Sequence, residues 1–261
     1  MRPVTLCFSG LDPSGGAGLQ ADIESISALG GHPAVVATAL TVQDSQRVYG
    51  FQLTDPILMR DQARRVLADL PVACVKLGML GSAAAVDTVF ETLSDYRHLP
   101  VVLDPVLAAN SGGNLAQSDL RAALLRSLPL TTVITPNSIE ARLLAACDDL
   151  PEAVARLTQA GARHIWLKGG HEPGDTLINS LYSDGELVLE TRLPRLAGEF
   201  HGSGCTLAAA LAAGLADGLA LIPAVQQSQA FVSDALTNAD RPHTDGQWLP
   251  RRIRTPWKMP S

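Results

Sequence analysis

The chain has 261 residues, 46% of them hydrophobic and 18% charged, with a net charge of -6. That is enough for one large α/β domain with a sizeable core, and the acidic balance argues against general nucleic-acid binding, which needs basic excess to displace counterions. No apolar run approaches the ~20 residues of a membrane span, and the first ten residues have too short an apolar core for a signal peptide, so a cytoplasmic protein that does not bind membranes is expected.

Residues 4–9 form a short apolar run that predicts a buried first strand. It leads into Gly10-Leu-Asp-Pro-Ser-Gly-Gly-Ala-Gly18, after which Leu19, Ile23 and Ile26 mark one face of a helix. Within it, Gly16-Ala-Gly-Leu-Gln-Ala21 matches a dinucleotide-binding fingerprint with Ala in third place, but the lysine and hydroxyl of a phosphate-binding Walker loop are missing. Residues 34–42 predict a second buried strand ending at Gln43-Asp44-Ser45, and Val48, Phe51 and Leu53 an irregular strand that could act as a flap. A helix over 57–70, a strand over 72–77 leading to Met79, and a helix over 83–93 follow.

The strand at 100–103 ends in Asp104-Pro-Val106, where a carboxylate can hold a magnesium water or cap the next turn. Ser118 can cap a helix through Ser127. The strand at 131–135 ends in Pro136-Asn-Ser-Ile-Glu140; Asn137 or Ser138 can cap the next helix, and Glu140 suits the helix dipole or a cation. A helix over 151–160 precedes a strand at 164–167 that ends in Lys168-Gly-Gly-His171. Lys168 is one of three lysines beside 17 arginines, and with Lys76 it is one of two that follow a strand-like run, where a compact point charge differs from a planar fork.

Segments 176–182 and 186–192 predict a hairpin around Ser183-Asp-Gly185. Next comes Phe200-His-Gly-Ser-Gly-Cys-Thr-Leu207, running into the alanine-rich segment 208–216, with Leu207, Leu211 and Leu215 as the apolar stripe of a helix that starts at the glycines. Gly202 and Gly204 let successive N–H groups converge on an anion at a helix start, and a first-turn position would lower the pKa of Cys205. A last helix spans 223–238, and 241–261, with five basic residues, one acid and four prolines, reads as a loosely packed tail. The four cysteines, Cys7, Cys74, Cys147 and Cys205, are too widely spaced for a zinc site or disulfide framework.

Alternating strands and helices without a linker predict a single doubly wound α/β domain over 1–240, with a mostly parallel sheet, helices on both faces and a small hairpin or flap. Every polar motif follows a strand, so all can gather on one carboxyl edge. Two glycine-rich anion sites, two carboxylates, a lysine and a thiol there are the parts that phosphoryl transfer requires.

Seven ordered motifs, Ser9 to Asp22, Thr41-Val-Gln43, Lys76 to Leu80, Asp104-Pro-Val106, Thr135-Pro-Asn137 with Glu140, Lys168 to His171 and His201 to Thr206, resemble the hydroxymethylpyrimidine and phosphomethylpyrimidine kinases of thiamine synthesis. The resemblance covers residues 6 to 239 and implies a ribokinase-like fold, ATP and magnesium as cofactors, an aminopyrimidine alcohol and its monophosphate as substrates, and a homodimer. It further implies that Gly10, Asp22, Gln43, Met79 and Val106 line the pyrimidine pocket, with Asp22 and Gln43 hydrogen-bonding the ring. By the same resemblance Asn137 and Lys168 contact ATP phosphates, Asp104 and Glu140 hold magnesium, and Gly202, Ser203 and Gly204 form the anion hole. Cys205 would then be the base, in place of the aspartate that most ribokinase-like enzymes use. The rivals are pyridoxal kinase, which shares fold and ATP site, a nicotinamide-dependent oxidoreductase resting on Gly16 to Ala21, a lyase of the same superfamily, and a silent binding paralogue.

Overall fold

The computed structural model describes residues 1–107, 119–242 and 246–254. Its strands are β1 (Val4–Leu11), β2 (His32–Gln43), β3 (Val48–Leu53), β4 (Val72–Leu77), β5 (Val101–Leu103), β6 (Val133–Ile134), β7 (His164–Leu167), β8 (Thr176–Ser183) and β9 (Glu186–Pro194). They form one sheet in the order β3-β2-β1-β4-β5-β6-β7-β8-β9. The six strands from β2 to β7 are parallel, while β3, β8 and β9 add antiparallel pairs at the two ends. The predicted doubly wound sheet, flap and hairpin are therefore all present.

Strand parity sorts the core into two layers. In β4, Val75 and Leu77 join Phe8, Leu103 and Ile134 against helices α2 (Pro56–Asp69), α3 (Ala83–Thr92), α4 (Leu120–Ser127), α5 (Ser138–Ala145) and α6 (Leu150–Gln159). Cys74, from the opposite face of the same strand, joins Val102, Val133 and Trp166 against α7 (Ser203–Ala216) and α8 (Leu221–Thr237), and α1 (Gly18–Ala28) packs on that side through Ile26. Parallel strands covered on both faces read as continuous apolar runs, as these do.

The glycine stretch stands at a helix start, as expected: α7 begins at Ser203, with Gly202 as its cap and Cys205 in its first turn. The helix has more than one apolar stripe: Leu207 and Leu211 face the sheet, while Ala209 and Ala213 pack with Ile26 of α1 and Cys7 of β1. Alanine on the remaining faces lets α1 and α8 approach the same helix. The cap expected at Ser118 lies outside the described residues, and α4 begins at Leu120.

The loosely packed tail needs correction for its described part. Residues 246–254 return to the domain: Leu249 pairs with Asp240, Trp248 pairs with Phe200, and the Phe200 and Trp248 rings meet edge to face at 5.4 Å. Charge and proline content say nothing about partners, and here Trp248 finds its partner in Phe200 and Arg252 in Thr206 and the glycine loop before α1. No described helix is long and apolar enough to cross a membrane.

Candidate active site

The carboxyl ends of β1, β2, β4, β5, β6 and β7 meet the first turns of α1 and α7 around one cavity. This is the topological position where open α/β sheets bind ligands. Gly10, Gln43, Met79 and Val106 line one part of it; Asp104, Asn137, Glu140 and Lys168 line another, opposite Gly202, Gly204 and Cys205.

Two of the expected residues stand apart. Ser203 heads α7 but is not on the cavity wall. Asp22, expected to hydrogen-bond a substrate ring, lies behind the wall with no exposed surface, its carboxylate 2.7 Å from Lys76 Nζ and accepting from Ser9 Oγ at 2.6 Å. Uncoupling such a buried pair costs about 3–5 kcal/mol, more than the ~1.5–3 kcal/mol of a new charge-assisted hydrogen bond, so Asp22 stays with Lys76. The lysine comes from the β4 face that carries Cys74, and the sequence alone did not show that this face points at Asp22.

The part lined by Gly10, Gln43, Met79 and Val106 is set by β2. Thr41 and Gln43 point into the cavity on alternate positions, while Leu40 and Val42 between them face outward and are exposed. Thr38 Oγ1 donates to the Met79 carbonyl, and a Cβ at Gly10 would press on Met79 Sδ, so glycine there keeps the Met79 side chain in place.

The charged part is a compact network. Lys168 Nζ donates to Asp104 Oδ1 at 2.8 Å and lies 4.0 Å from Glu140 Oε2; Thr135 Oγ1 donates to the same Asp104 oxygen at 3.0 Å. Asn137 is the cap: its Oδ1 accepts from Glu140 N and its own N–H donates to Glu140 Oε2, both at 2.8 Å. This capping box, worth ~1 kcal/mol, bears out the capping reading of Asn137 and also fixes the Glu140 carboxylate beside the lysine. Burial, opposed by Lys168 and reinforced by Asp104, pushes the Glu140 carboxyl up to about 7. Burial also disfavours the Lys168 ammonium, but the two carboxylates outweigh it and hold its pKa above the ordinary value. Two buried carboxylates sharing one lysine leave room for a dication held partly through water and phosphate oxygens. Among the described residues no group of three or more His, Cys, Asp or Glu side chains forms a protein cage.

The anion site is made by α7. The first intrahelical bond joins Thr206 N–H to the Gly202 carbonyl at 2.9 Å, leaving the N–H groups of Ser203, Gly204 and Cys205 without an intrahelical acceptor. Gly202 has φ +75°, and a Cβ on it would overlap the Gly16 carbonyl; a Cβ on Gly204 would press on Lys168 Nζ. The expected lowering of the Cys205 pKa is not found. Burial pushes the thiol up, with Lys76 opposing it and Asp104 and Asp22 adding to it. Burial of the thiol is the leading cause.

Two cavity residues were missed although they stand in the motifs. His201 Nε2 lies 2.7 Å from Asp12 Oδ2, joining the loop before α7 to the loop before α1. Asp12 also accepts from Ser14 N–H and Ala17 N–H, each at 2.8 Å. Burial opposes its ionisation, yet the His201 and Ser14 hydrogen bonds hold its carboxyl well below the usual range. An Asp two residues before Ser in a glycine loop signals such a turn, but only the fold pairs it with a histidine 189 positions away. The fingerprint at Gly16 to Ala21 does not serve a dinucleotide: His201 and Leu249 occupy the space above Gly16.

A family model described as phosphomethylpyrimidine kinase matches residues 12–247. The hydroxymethylpyrimidine/phosphomethylpyrimidine kinase of Streptomyces coelicolor is 40% identical over 242 residues, covering 90% of this chain and 89% of that protein. The thiamine biosynthesis bifunctional protein ThiED of Geobacter sulfurreducens is 37% identical over 90% of this chain, which spans about half (49%) of its length. Among solved structures, the Staphylococcus aureus pyridoxal kinase in complex with AMP-PCP and pyridoxal has a TM-score of 0.86 at 27% identity, covering 97% of this chain and 94% of that one. The phosphomethylpyrimidine kinase of Clostridium difficile 630 has a TM-score of 0.77 at 29% identity, covering 90% and 100%.

Proposed function

Because the chain belongs to the phosphomethylpyrimidine kinase family, we propose that it is the hydroxymethylpyrimidine/phosphomethylpyrimidine kinase of a thiamine pathway. It transfers a phosphoryl group from ATP to the alcohol of 4-amino-5-hydroxymethyl-2-methylpyrimidine, and a second one to the resulting monophosphate. The observation that carries this reading is one cavity where the first-turn N–H groups of α7 and the Cys205 thiol face the Asp104–Lys168 pair.

Gly10, Gln43, Met79 and Val106 hold the pyrimidine, and Asn137 and Lys168 take the ATP phosphates. Asp104 and Glu140 would hold magnesium, which when bound neutralises charge on those phosphates. The substrate hydroxyl attacks the γ-phosphorus as the bond to the β-phosphate oxygen breaks; Cys205, as thiolate, takes the hydroxyl proton, and the α7 N–H groups with Lys168 stabilise the charge on the moving group. The exposed outer face of β2 and β3, with Leu40, Val42 and Tyr49, supports a homodimer. The free thiols of Cys7, Cys74, Cys147 and Cys205 suit a reducing cytoplasm.

The likeness to pyridoxal kinase structures supplies the second reading. A coupled ATP assay with hydroxymethylpyrimidine, its monophosphate and pyridoxal in parallel decides: turnover of both pyrimidines ahead of pyridoxal, abolished by EDTA, is expected. Failure on both pyrimidines would end the first reading, and faster pyridoxal turnover would establish the second.

A further inference from the structure

Arg252 lies outside the cavity, on the segment that returns after α8, and is only 4% exposed. Its guanidinium spans two loops. Nη2 donates to the Gly16 carbonyl and Nη1 to the Gly15 carbonyl at 3.4 Å, both in the glycine loop before α1. Nε donates to Thr206 Oγ1 at 2.8 Å, and that hydroxyl donates in turn to the carbonyl of Gly202, the α7 cap. Glu24 of α1 balances the charge at 3.1 Å. The same segment reaches the other side of the cap, where His201 N–H donates to the Trp248 carbonyl at 3.0 Å.

We propose that Arg252 is a positioning residue for phosphoryl transfer, setting the spacing between the glycine loop and the anion-binding first turn of α7. The loops touch where the Gly16 carbonyl meets Gly202, a contact that leaves no room for a Cβ. A planar fork bridges three acceptors on two segments at once, which a lysine ammonium at the end of a flexible stem does not reproduce. Without the fork, the buried Gly16 carbonyl and the half-buried Gly15 carbonyl lose their donor and the loop relaxes away from the α7 cap. Arg252 touches no residue assigned to the pyrimidine, so its loss acts on the transition state and leaves ground-state binding in place.

The inference rests on the reading of the α7 start as the phosphoryl site. In the full-length protein, Arg252→Ala is expected to lower kcat about 10²-fold, the scale of an ångström-level misplacement, with the KM for the pyrimidine changed less than about threefold. Arg252→Lys is expected to recover part of kcat. If Arg252→Ala does not fold, Arg252→Lys decides alone, with a kcat about tenfold down at a near-native melting temperature. Native kcat in the folded variant, or a KM rise that accounts for the whole loss, overturns the role of Arg252. An inactive wild type would instead remove the kinase reading beneath it.

Discussion

At the scale of the residue, the base role proposed for Cys205 predicts different behaviour in the two phosphorylation steps. An alcohol must lose a proton to attack, whereas a phosphate monoester, with a second pKa of about 6, already presents an anionic oxygen at neutral pH. Cys205→Ala should therefore cut phosphorylation of the alcohol by about 10²–10⁴-fold, while phosphorylation of the monophosphate changes less than about threefold. Equal losses in both steps would show that the side chain acts through packing, and no loss in the first would remove it from the mechanism. Burial holds the thiol above its ordinary value, so the thiolate is scarce at neutral pH and grows with pH. The first step should consequently accelerate by up to about tenfold per pH unit between pH 7 and 9, and the second should not. The sequence disclosed this residue because a glycine pair before a helix is a local pattern. It misjudged the pKa because the burial that raises the thiol, with Asp104 and Asp22 adding to it, arises only in the fold, just as it missed that Lys76 claims Asp22.

At the scale of the element, the segments bearing Glu140 and Lys168 are held together outside the cavity. Arg142 of α5 grips Glu172, four residues past Lys168, with Nη1–Oε1 at 2.7 Å and Nη2–Oε2 at 3.1 Å. The Arg142 hydrogen bonds hold the Glu172 carboxyl at about 2, below its ordinary 4.5. Its stabilising effect is therefore complete above pH 4.5 and fades as pH falls through about 2. The pair is about one-third exposed, so screening limits Glu172→Gln to a loss of about 0.5–1 kcal/mol at pH 7. Denaturant titrations at pH 7 and pH 3 should show the gap between wild type and variant narrowing; a gap independent of pH would assign the loss to something other than ionisation. Elements of this kind were legible as such, since each strand announced itself by apolar runs and each helix by its periodicity. The start of α7 was legible too, because a glycine pair before an alanine-rich segment marks a helix N-terminus.

At the scale of the molecule, a mostly parallel, doubly wound sheet followed from the alternation of elements, but the strand order did not, and two further features depended on distant partners. One is the return of residues 246–254 to the glycine loop, which composition presented as a tail. The other is the outward face of β2, where Leu40 and Val42 alternate with cavity residues and are 50% and 64% exposed. If that face joins two copies, sedimentation velocity should give a dimer for the wild type and a monomer for Val42→Glu; a monomeric wild type would remove the homodimer.

The alanine columns of α7 carry a further consequence for how such a chain can change over time. Ala208, Ala209, Ala210 and Ala212 are fully buried, wedged between the sheet, α1 and α8, on the helix whose first turn faces the reacting groups. A larger side chain at any of them would lever the neighbouring helix and, with it, the turn it abuts, at a cost of ~1–3 kcal/mol in packing alone. Drift in this helix is thereby confined to the smallest side chains.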